Sequence, residues 1–245
     1  MSRTKSLILG ASSGVGRALS YYLTSLNQDI FLCSRGLRDL EAMASDISAK
    51  YSVQVNYKNI DLSNTAEVDD LFNSIDINDF SEIYITIGKV VSIDNGEQPF
   101  TTVSELMETN YIAPVRIINK IFQNYTQLKS LKILIISSIA VSRPRGQNIV
   151  YAASKSALDF YCQGLQHKLS NSKLSLHICR LGYVDTEMSY GKKMLFPVAS
   201  PASAAIALHK AMKNNKAVFY YPGFWKLIHL IVNSLPWFIY KRLKF

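Results

Sequence analysis

A tyrosine four residues ahead of a lysine, Tyr151 and Lys155, follows a serine, Ser138, by thirteen residues. These are the side chains whose types and spacing could do acid–base chemistry. On a helix, positions i and i+4 share one face. A phenol ordinarily ionises near a pKa of about 10, too high for proton transfer at neutral pH. A lysine ammonium on the same face favours the phenolate and lowers that value, so the tyrosine can give or take a proton under physiological conditions. Ser138 closes the apolar run LKILIIS, which reads as a buried strand. A hydroxyl at the carboxyl end of a strand faces the ligand crevice of an open α/β sheet, within reach of the oxygen that Tyr151 would protonate.

A bare Tyr-x-x-x-Lys occurs often by chance, so its weight depends on the elements that carry it. The spacing predicts a strand at Leu131–Ser138 and a helix over 150–169. Upstream, the strand Lys5–Leu9 runs into Gly10-Ala11-Ser12-Ser13-Gly14-Val15-Gly16 and then an apolar-periodic helix to about residue 26. A strand, a glycine turn and a helix N-terminus bring backbone N–H groups and the positive end of the helix dipole to one point, which suits a pyrophosphate. The spacing is GxxxGxG, distinct from the GxGxxG dinucleotide fingerprint; without a ligand it is simply a tight turn.

The second strand, Asp29–Ser34, ends in Ser34-Arg35 with no acid until Asp39. The end of this strand meets the adenosine ribose in dinucleotide-binding sheets. An acid would bond the 2′-hydroxyl of NAD, whereas an arginine forms charge-assisted bonds with the 2′-phosphate of NADP. Arg35 therefore favours NADP(H) over NAD(H), the alternative being an arginine that only faces solvent. A third strand over 53–59 leads to Asp61-Leu62. Asp61 either accepts from an adenine amino group or, like Ser63, caps the next helix.

A fourth strand over 83–87 ends in Gly88, and a long helix over 101–125 carries Asn110 on an apolar face. An amide there either has a task or marks a kink or a water site. Leu174–Leu181 is a sixth strand, followed by Gly182-Tyr183-Val184-Asp185-Thr186. A helix over 200–214 with Ser200 as N-cap and Pro201 at its first position, and a short strand over 217–220, complete the pattern. Strands alternating with helices predict an α/β fold with a parallel, doubly wound sheet.

Composition agrees with one large α/β domain over 1–222 and a distinct segment over 223–245. The 245 residues are 48% hydrophobic and 18% charged, enough for a substantial core. Cys33, Cys162 and Cys179 lie scattered in apolar surroundings, and His167, His177, His209 and His229 form no cluster with acids. Neither a disulfide framework nor a metal is expected. No secretory signal is legible, so the expected location is the cytoplasm. The net charge of +9 is uneven: from Met188 onward there are nine basic residues and no acid, while the preceding residues balance at 18 of each sign. Such asymmetry suggests an anionic partner for the C-terminal part. No recognisable nucleic-acid motif accompanies it, and no nucleic-acid partner is expected.

Taken in order, Gly10/Gly14/Gly16, Asp61, Asn110, Ser138, Tyr151, Lys155 and the Gly182–Thr186 stretch make the chain resemble the short-chain dehydrogenase/reductases over roughly residues 4–222. The resemblance implies a Rossmann-type sheet of seven strands in the order 3-2-1-4-5-6-7 and a nicotinamide cofactor across the strand ends. The cofactor would touch Gly10, Ser12, Ser13, Gly14, Val15, Gly16, Arg35, Asp61, Leu62, Gly88, Asn110, Tyr151, Lys155, Gly182, Val184 and Thr186. Tyr151 would be general acid for carbonyl reduction and general base for alcohol oxidation. Lys155 would lower its pKa and bond the nicotinamide ribose, Ser138 would polarise the carbonyl, and Asn110 would hold a water linking Lys155 to solvent. Val184 and Thr186 would meet the carboxamide. A homodimer or homotetramer through the helices at 101–125 and 150–169 is implied as well. Three departures stand out: Ile85-Thr86-Ile87-Gly88 replaces the family's Asn-Asn-Ala-Gly, Leu181-Gly182 replaces Pro-Gly, and the glycine turn lacks its usual preceding threonine.

The segment FWKLIHLIVNSLPWFIYKRLKF from Phe224 onward is unlike a minimal member of that family. Phe224, Leu227, Ile228, Ile231, Leu235 and Phe238 fit one helical face, with a kink at Pro236. The run is too short and interrupted to span a bilayer. Its aromatics and the terminal Lys241-Arg242-Leu243-Lys244 suit a helix lying in a membrane interface at the inner face of a membrane, or else a helix packed over the substrate cleft or in a subunit interface. Arg143 and Arg145, between Ser138 and Tyr151, suit an anionic substrate, and Tyr183 is a further candidate for substrate contact. The expected substrate is a small-molecule or lipid-linked ketone or alcohol, such as a polyprenyl-phosphate sugar or an acyl or sterol-like ketone. A catalytically idle NADP-binding sensor or scaffold at a membrane is the competing function. The intact Asn110, Ser138, Tyr151, Lys155 set favours the oxidoreductase; the changes at Thr86 and Leu181 favour the idle protein.

Overall fold

Apolar runs bounded by turns become strands, and the periodic segments between them become helices. The computed structural model describes residues 3–92, 94–127, 129–189 and 195–243. Along it lie β1 (Lys5–Leu9), α1 (Gly14–Ser25), β2 (Asp29–Ser34), α2 (Leu37–Lys50), β3 (Val55–Asn59), α3 (Thr65–Ser74), β4 (Glu82–Ile85), α4 (Phe100–Met107), α5 (Ala113–Asn124), β5 (Leu131–Ser138), α6 (Ile149–Lys168), β6 (Leu174–Leu181), α7 (Pro201–Lys213), β7 (Val218–Tyr221), α8 (Trp225–Ser234) and α9 (Trp237–Tyr240). Among these residues one parallel sheet runs β3-β2-β1-β4-β5-β6-β7, the predicted order.

Side chains alternate across a strand, so each strand feeds two cores. Leu7, Leu9, Ile83 and Ile85 pack with Leu71 of α3, Ile117 and Ile121 of α5, and Leu158 of α6. Ile8, Leu32, Tyr84 and Leu134 pack with Leu19 and Leu23 of α1, Met43 of α2 and Leu208 of α7. Helices covering both faces explain why the inner strands read as continuous apolar runs rather than alternating ones.

Beyond shifts of a single residue, four boundaries differ from expectation, each for a visible reason. β3 starts at Val55, where pairing with Ile30 begins. β4 stops at Ile85, opposite the last residue of β1. The N-cap of α3 is Asn64, whose side chain accepts from the N–H groups of Ala66 and Glu67; neither Asp61 nor Ser63 takes that role. The helix expected over 101–125 is broken by a π-helical turn, Glu108–Ile112, around Asn110. Pro114 has no N–H to offer the Asn110 carbonyl in the ordinary i+4 pattern, and the Ala113 N–H bonds Glu108 instead.

The tail is two helices rather than one kinked helix. Leu235 is extended ahead of Pro236, as the residue before a proline prefers. The single stripe expected on the tail is accordingly split. Trp225, Ile228, His229 and Val232 line the inner side of α8, while Leu227, Leu230 and Ile231 are exposed. Lys192, Lys193, Lys244 and Phe245, counted in the basic C-terminal part, lie outside the described residues.

Candidate active site

The carboxyl ends of the strands open into a cleft of about 1930 Å³, the position where open α/β sheets bind ligands. At one end, Gly10 to Gly16 turn from β1 into α1. Gly16 is required by close packing, because a Cβ there would stand 2.1 Å from the Gly10 carbonyl oxygen. Ser13, the N-cap of α1, makes no side-chain capping bond, and the first turn holds no acid. The orphan N–H groups of the helix thus face the cleft beside Ser12, Gly14 and Val15. Thr86, which replaces the family's asparagine, donates its hydroxyl to the Leu9 and Gly10 carbonyls, 3.0 Å each, and so retains a polar tie between β4 and the turn.

Arg35 lies where β2 ends, at the rim of the same cleft, with Asp61 and Leu62 after β3. The Asp61 carboxylate accepts from the Ser63 N–H and hydroxyl. Burial works against its charge, but these bonds and the Arg35 guanidinium outweigh that and hold its pKa below the usual carboxylate range. Two neighbours were not anticipated. Arg17, one residue past the glycine turn, donates to the Ser12 carbonyl and pairs with Asp39. The Ser34 hydroxyl is buried with no hydrogen-bond partner among the described residues, a donor waiting for an acceptor. An uncapped helix N-terminus, two arginines and an orphan hydroxyl fit an anionic dinucleotide.

Ser138, Tyr151 and Lys155 all line this cleft. Ser138 ends β5 and caps a following 3₁₀ turn, its Oγ accepting from the Ala140 N–H. Burial pushes the Tyr151 phenol up, while a hydrogen bond from Ser138 and the charge of Arg145 pull it back. The net result is a raised pKa, the opposite of the lowering expected from Lys155, and the charge that opposes the rise is that of Arg145. Lys155 is buried and donates Nζ to the carbonyls of Ile136 at 3.1 Å and Ile87 at 3.4 Å. Desolvation lowers its pKa to about 8. No carboxylate pairs with it among the described residues.

Supporting residues hold this group in place. The Asn110 amide accepts from the Lys89 N–H and donates to its carbonyl, pinning the loop that follows β4. Gly88 lies between Asn110 and Lys155: a Cβ on it would be 3.4 Å from Nζ and 3.5 Å from Oδ1. The buried Asp94 carboxylate receives the N–H groups of Val150 and Tyr151, each at 2.9 Å, and anchors the first turn of α6. One turn beyond Lys155, the buried Asp159 accepts from Ser137 and from Arg180 in a two-pronged pair, fastening α6 to β5 and β6. The i+4 spacing of Lys155 and Asp159 is legible in sequence. Nothing local marked Asp94, which reaches α6 from an irregular loop.

The far wall of the cleft belongs to the C-terminal segment. The Trp225 indole packs edge-on to Tyr183 at 5.2 Å and to Phe196 at 4.9 Å between ring centroids. It also occupies the space a Cβ on Gly182 would need, 2.0 Å from its Nε1. Any side chain there would have to displace the indole, whether or not a proline precedes the glycine. Val184 and Thr186 follow along the same wall. His229 shares a 2.8 Å hydrogen bond with Ser142. Arg143, expected to bind an anionic substrate, instead donates to the Val232 and Leu235 carbonyls at the end of α8 and lies 4.2 Å over the Tyr240 ring. Its charge is taken up by the orphan carbonyls of a helix C-terminus.

Comparison with known proteins agrees with this architecture. The family model described as short chain dehydrogenase matches residues 5–194. A hydroxysteroid 11-beta-dehydrogenase 1-like protein of Xenopus tropicalis is 26% identical over 255 residues, covering 98% of this chain and 87% of the relative. Among solved structures, a short-chain dehydrogenase from Sphingobium yanoikuyae in complex with NADPH superposes with a TM-score of 0.83 at 20% identity, covering 96% of this chain and 97% of its own. One from Burkholderia cenocepacia in complex with NADP gives 0.83 at 18% identity, covering 99% and 98%. At these identities the structural likeness establishes the fold.

Proposed function

This chain belongs to the short-chain dehydrogenase family, and from that premise we propose that it is an NADP(H)-dependent oxidoreductase interconverting a ketone and a secondary alcohol. The observation that carries the reading is one cleft lined both by the uncapped N-terminus of α1 and by Ser138, Tyr151 and Lys155. The bound nicotinamide supplies or accepts the hydride. Tyr151 gives its proton to the carbonyl oxygen in reduction and takes it back in oxidation. Ser138 hydrogen-bonds that same oxygen and holds it toward the phenol. Lys155, at about its own pKa of 8 in mildly alkaline solution, bonds the nicotinamide ribose and hands protons on along the Asn110 side of the cleft. Val184 and Thr186 meet the carboxamide, and Ser12, Ser13 and the glycine turn bind the pyrophosphate. Arg35, with Arg17 on the lining of the same cleft, takes the 2′-phosphate, and Asp61 the adenine.

The aromatic wall of Tyr183, Phe196 and Trp225 supports a bulky, apolar substrate, in keeping with a relative named for a hydroxysteroid dehydrogenase. Arg145, whose charge reaches Tyr151, supports an anionic group on it, as in a lipid-linked phosphate. The exposed apolar residues of the tail support peripheral contact with a membrane, and the family's habit of pairing through long helices supports a homo-oligomer.

The test is titration of the purified protein with NADPH and with NADH, followed by cofactor fluorescence, in wild type and Arg35→Asp. NADPH should bind more tightly than NADH, and Arg35→Asp should weaken NADPH by about tenfold, the value of one charge-assisted contact, with NADH little changed. Failure to bind either nucleotide would remove the oxidoreductase reading.

A further inference from the structure

The outer side of α8 is unlike that of any surface helix in the sheet layers. Leu227, Leu230 and Ile231 recur at i, i+3 and i+4, and they are 62%, 55% and 53% exposed. Trp237 and Phe238 of α9 are 59% and 60% exposed. The inner side of α8 is already filled by Trp225, Ile228, His229 and Val232 facing the cleft. A helix that is apolar on both sides belongs in a core or in lipid, and an exposed apolar patch of this kind marks an interaction site.

Charge identifies the occupant. Lys226, Lys241 and Arg242 are exposed around the patch, and none of them pairs with an acid among the described residues. The sequence has no acid anywhere after Glu187. A second copy of this chain would bring the same uncompensated positive charge against itself. An anionic bilayer offers both complements, acyl chains for the leucines and phosphates for the basic residues, and tryptophan is at home at that boundary. No helix among the described residues is long and apolar enough to cross a membrane, so the contact lies in the interface plane.

We infer that the outer face of α8 and α9 docks on an anionic lipid surface and thereby turns the wall of the cleft toward the membrane. Both sides of one helix do the work. Leu227, Leu230 and Ile231 enter the acyl boundary, while Trp225 and His229 on the opposite side line the cleft. Arg143, bonded to the last carbonyls of α8 and stacked on Tyr240, ties the docked helices to the loop between Ser138 and Tyr151. A lipid-borne substrate would reach the site without crossing bulk water. The inference deepens the proposed membrane contact and takes its substrate from the reading above, but the docking surface stands on its own residues.

The experiment is co-sedimentation of the full chain with vesicles of phosphatidylcholine alone and of phosphatidylcholine with about one third phosphatidylglycerol, the proportion being one that makes the surface clearly anionic. NADPH titration and size-exclusion light scattering run in parallel. Wild type should bind the anionic vesicles and bind the neutral ones far less, and raised salt should weaken the contact. Leu227→Glu/Ile231→Glu should reduce binding about tenfold or more. Lys241→Glu/Arg242→Glu should reduce it by roughly fivefold or more for each charge removed. All these residues are exposed, so NADPH affinity should not change in either variant. Absence of wild-type binding, or binding that survives both variants, would overturn the inference. So would a dimer that Leu227→Glu/Ile231→Glu converts to monomer, since the face would then belong to a second copy. Loss of NADPH binding in wild type would instead remove the oxidoreductase reading and leave the docking result to stand alone.

Discussion

The two ends of the sheet each bury a tyrosine beside a charge, and they use it in opposite ways. At the amino ends, the Tyr84 hydroxyl donates to Glu82 at 2.9 Å and lies 2.9 Å from His209 Nδ1, and Lys213 pairs with the other Glu82 oxygen at 3.0 Å. Burial and the adjacent carboxylate push the Tyr84 phenol well above its ordinary pKa, so it stays protonated. At the carboxyl ends, burial raises the Tyr151 phenol as well and outweighs the opposite pulls of a Ser138 hydrogen bond and the Arg145 charge. Lys155, one turn away, is held among the described residues by backbone carbonyls alone. The first cluster has its bonds closed and serves stability. The second places a phenol and a cation on the lining of the cleft, with no carboxylate paired to the cation among the described residues. Burial raises both phenols; they differ in the sign of the neighbouring charge and in the end of the sheet on which they lie.

The sharpest break of this comparison is Tyr151→Phe, which should lower kcat by ~10²–10⁴-fold, the usual worth of a positioned proton donor. NADPH binding should persist, and Tyr84→Phe should retain turnover. Equal loss in both variants, measured by NADPH consumption with an accepted ketone, would show that the two ends do not differ as argued.

Next comes acid stability. Burial opposes the Glu82 charge, yet the bonds from His209 and Lys213 hold its pKa at about 2 against an ordinary 4.5. Because the folded value is the lower one, its contribution is complete above pH 4.5 and fades as pH falls toward 2. A shift of that size corresponds to about 3 kcal/mol. Urea unfolding of Glu82→Gln should show a deficit of about that size at neutral pH, shrinking to near zero at the acid limit. A deficit that does not change with pH would contradict the assignment.

The smallest effect is expected at the cleft wall. Gly182→Ala would press a methyl group onto the Trp225 indole, and overpacking of this kind costs about 1–3 kcal/mol. The displaced indole should raise KM for the substrate more than it lowers the melting temperature. The reverse split would assign Trp225 to the core rather than to substrate.

Much of this was legible in the residues. The strand runs, the glycine turn and the i, i+4 pair of Tyr151 and Lys155 are local patterns, and local patterns carry period and cap chemistry. The π-helical turn at Asn110 was half legible: Pro114 announces a missing donor, yet the break was not predicted, because a proline in a helix can also simply kink it. Asp94 was not legible at all, since its carboxylate acts on N–H groups more than fifty residues away. Arg143 and Arg145 looked equivalent, two cations two residues apart, and only packing distinguished them.

By itself the sequence determined the element order, the doubly wound sheet and the identity of the chemical group at its carboxyl ends. These follow from hydrophobic period, turn residues and spacing, which act over a few residues. The tertiary structure decided that Arg143 is bound at the end of α8, that Gly182 must yield to Trp225, and that the last helices present one apolar side to the cleft and another outward. Those outcomes depend on which distant segments come to lie together, and no local pattern encodes that.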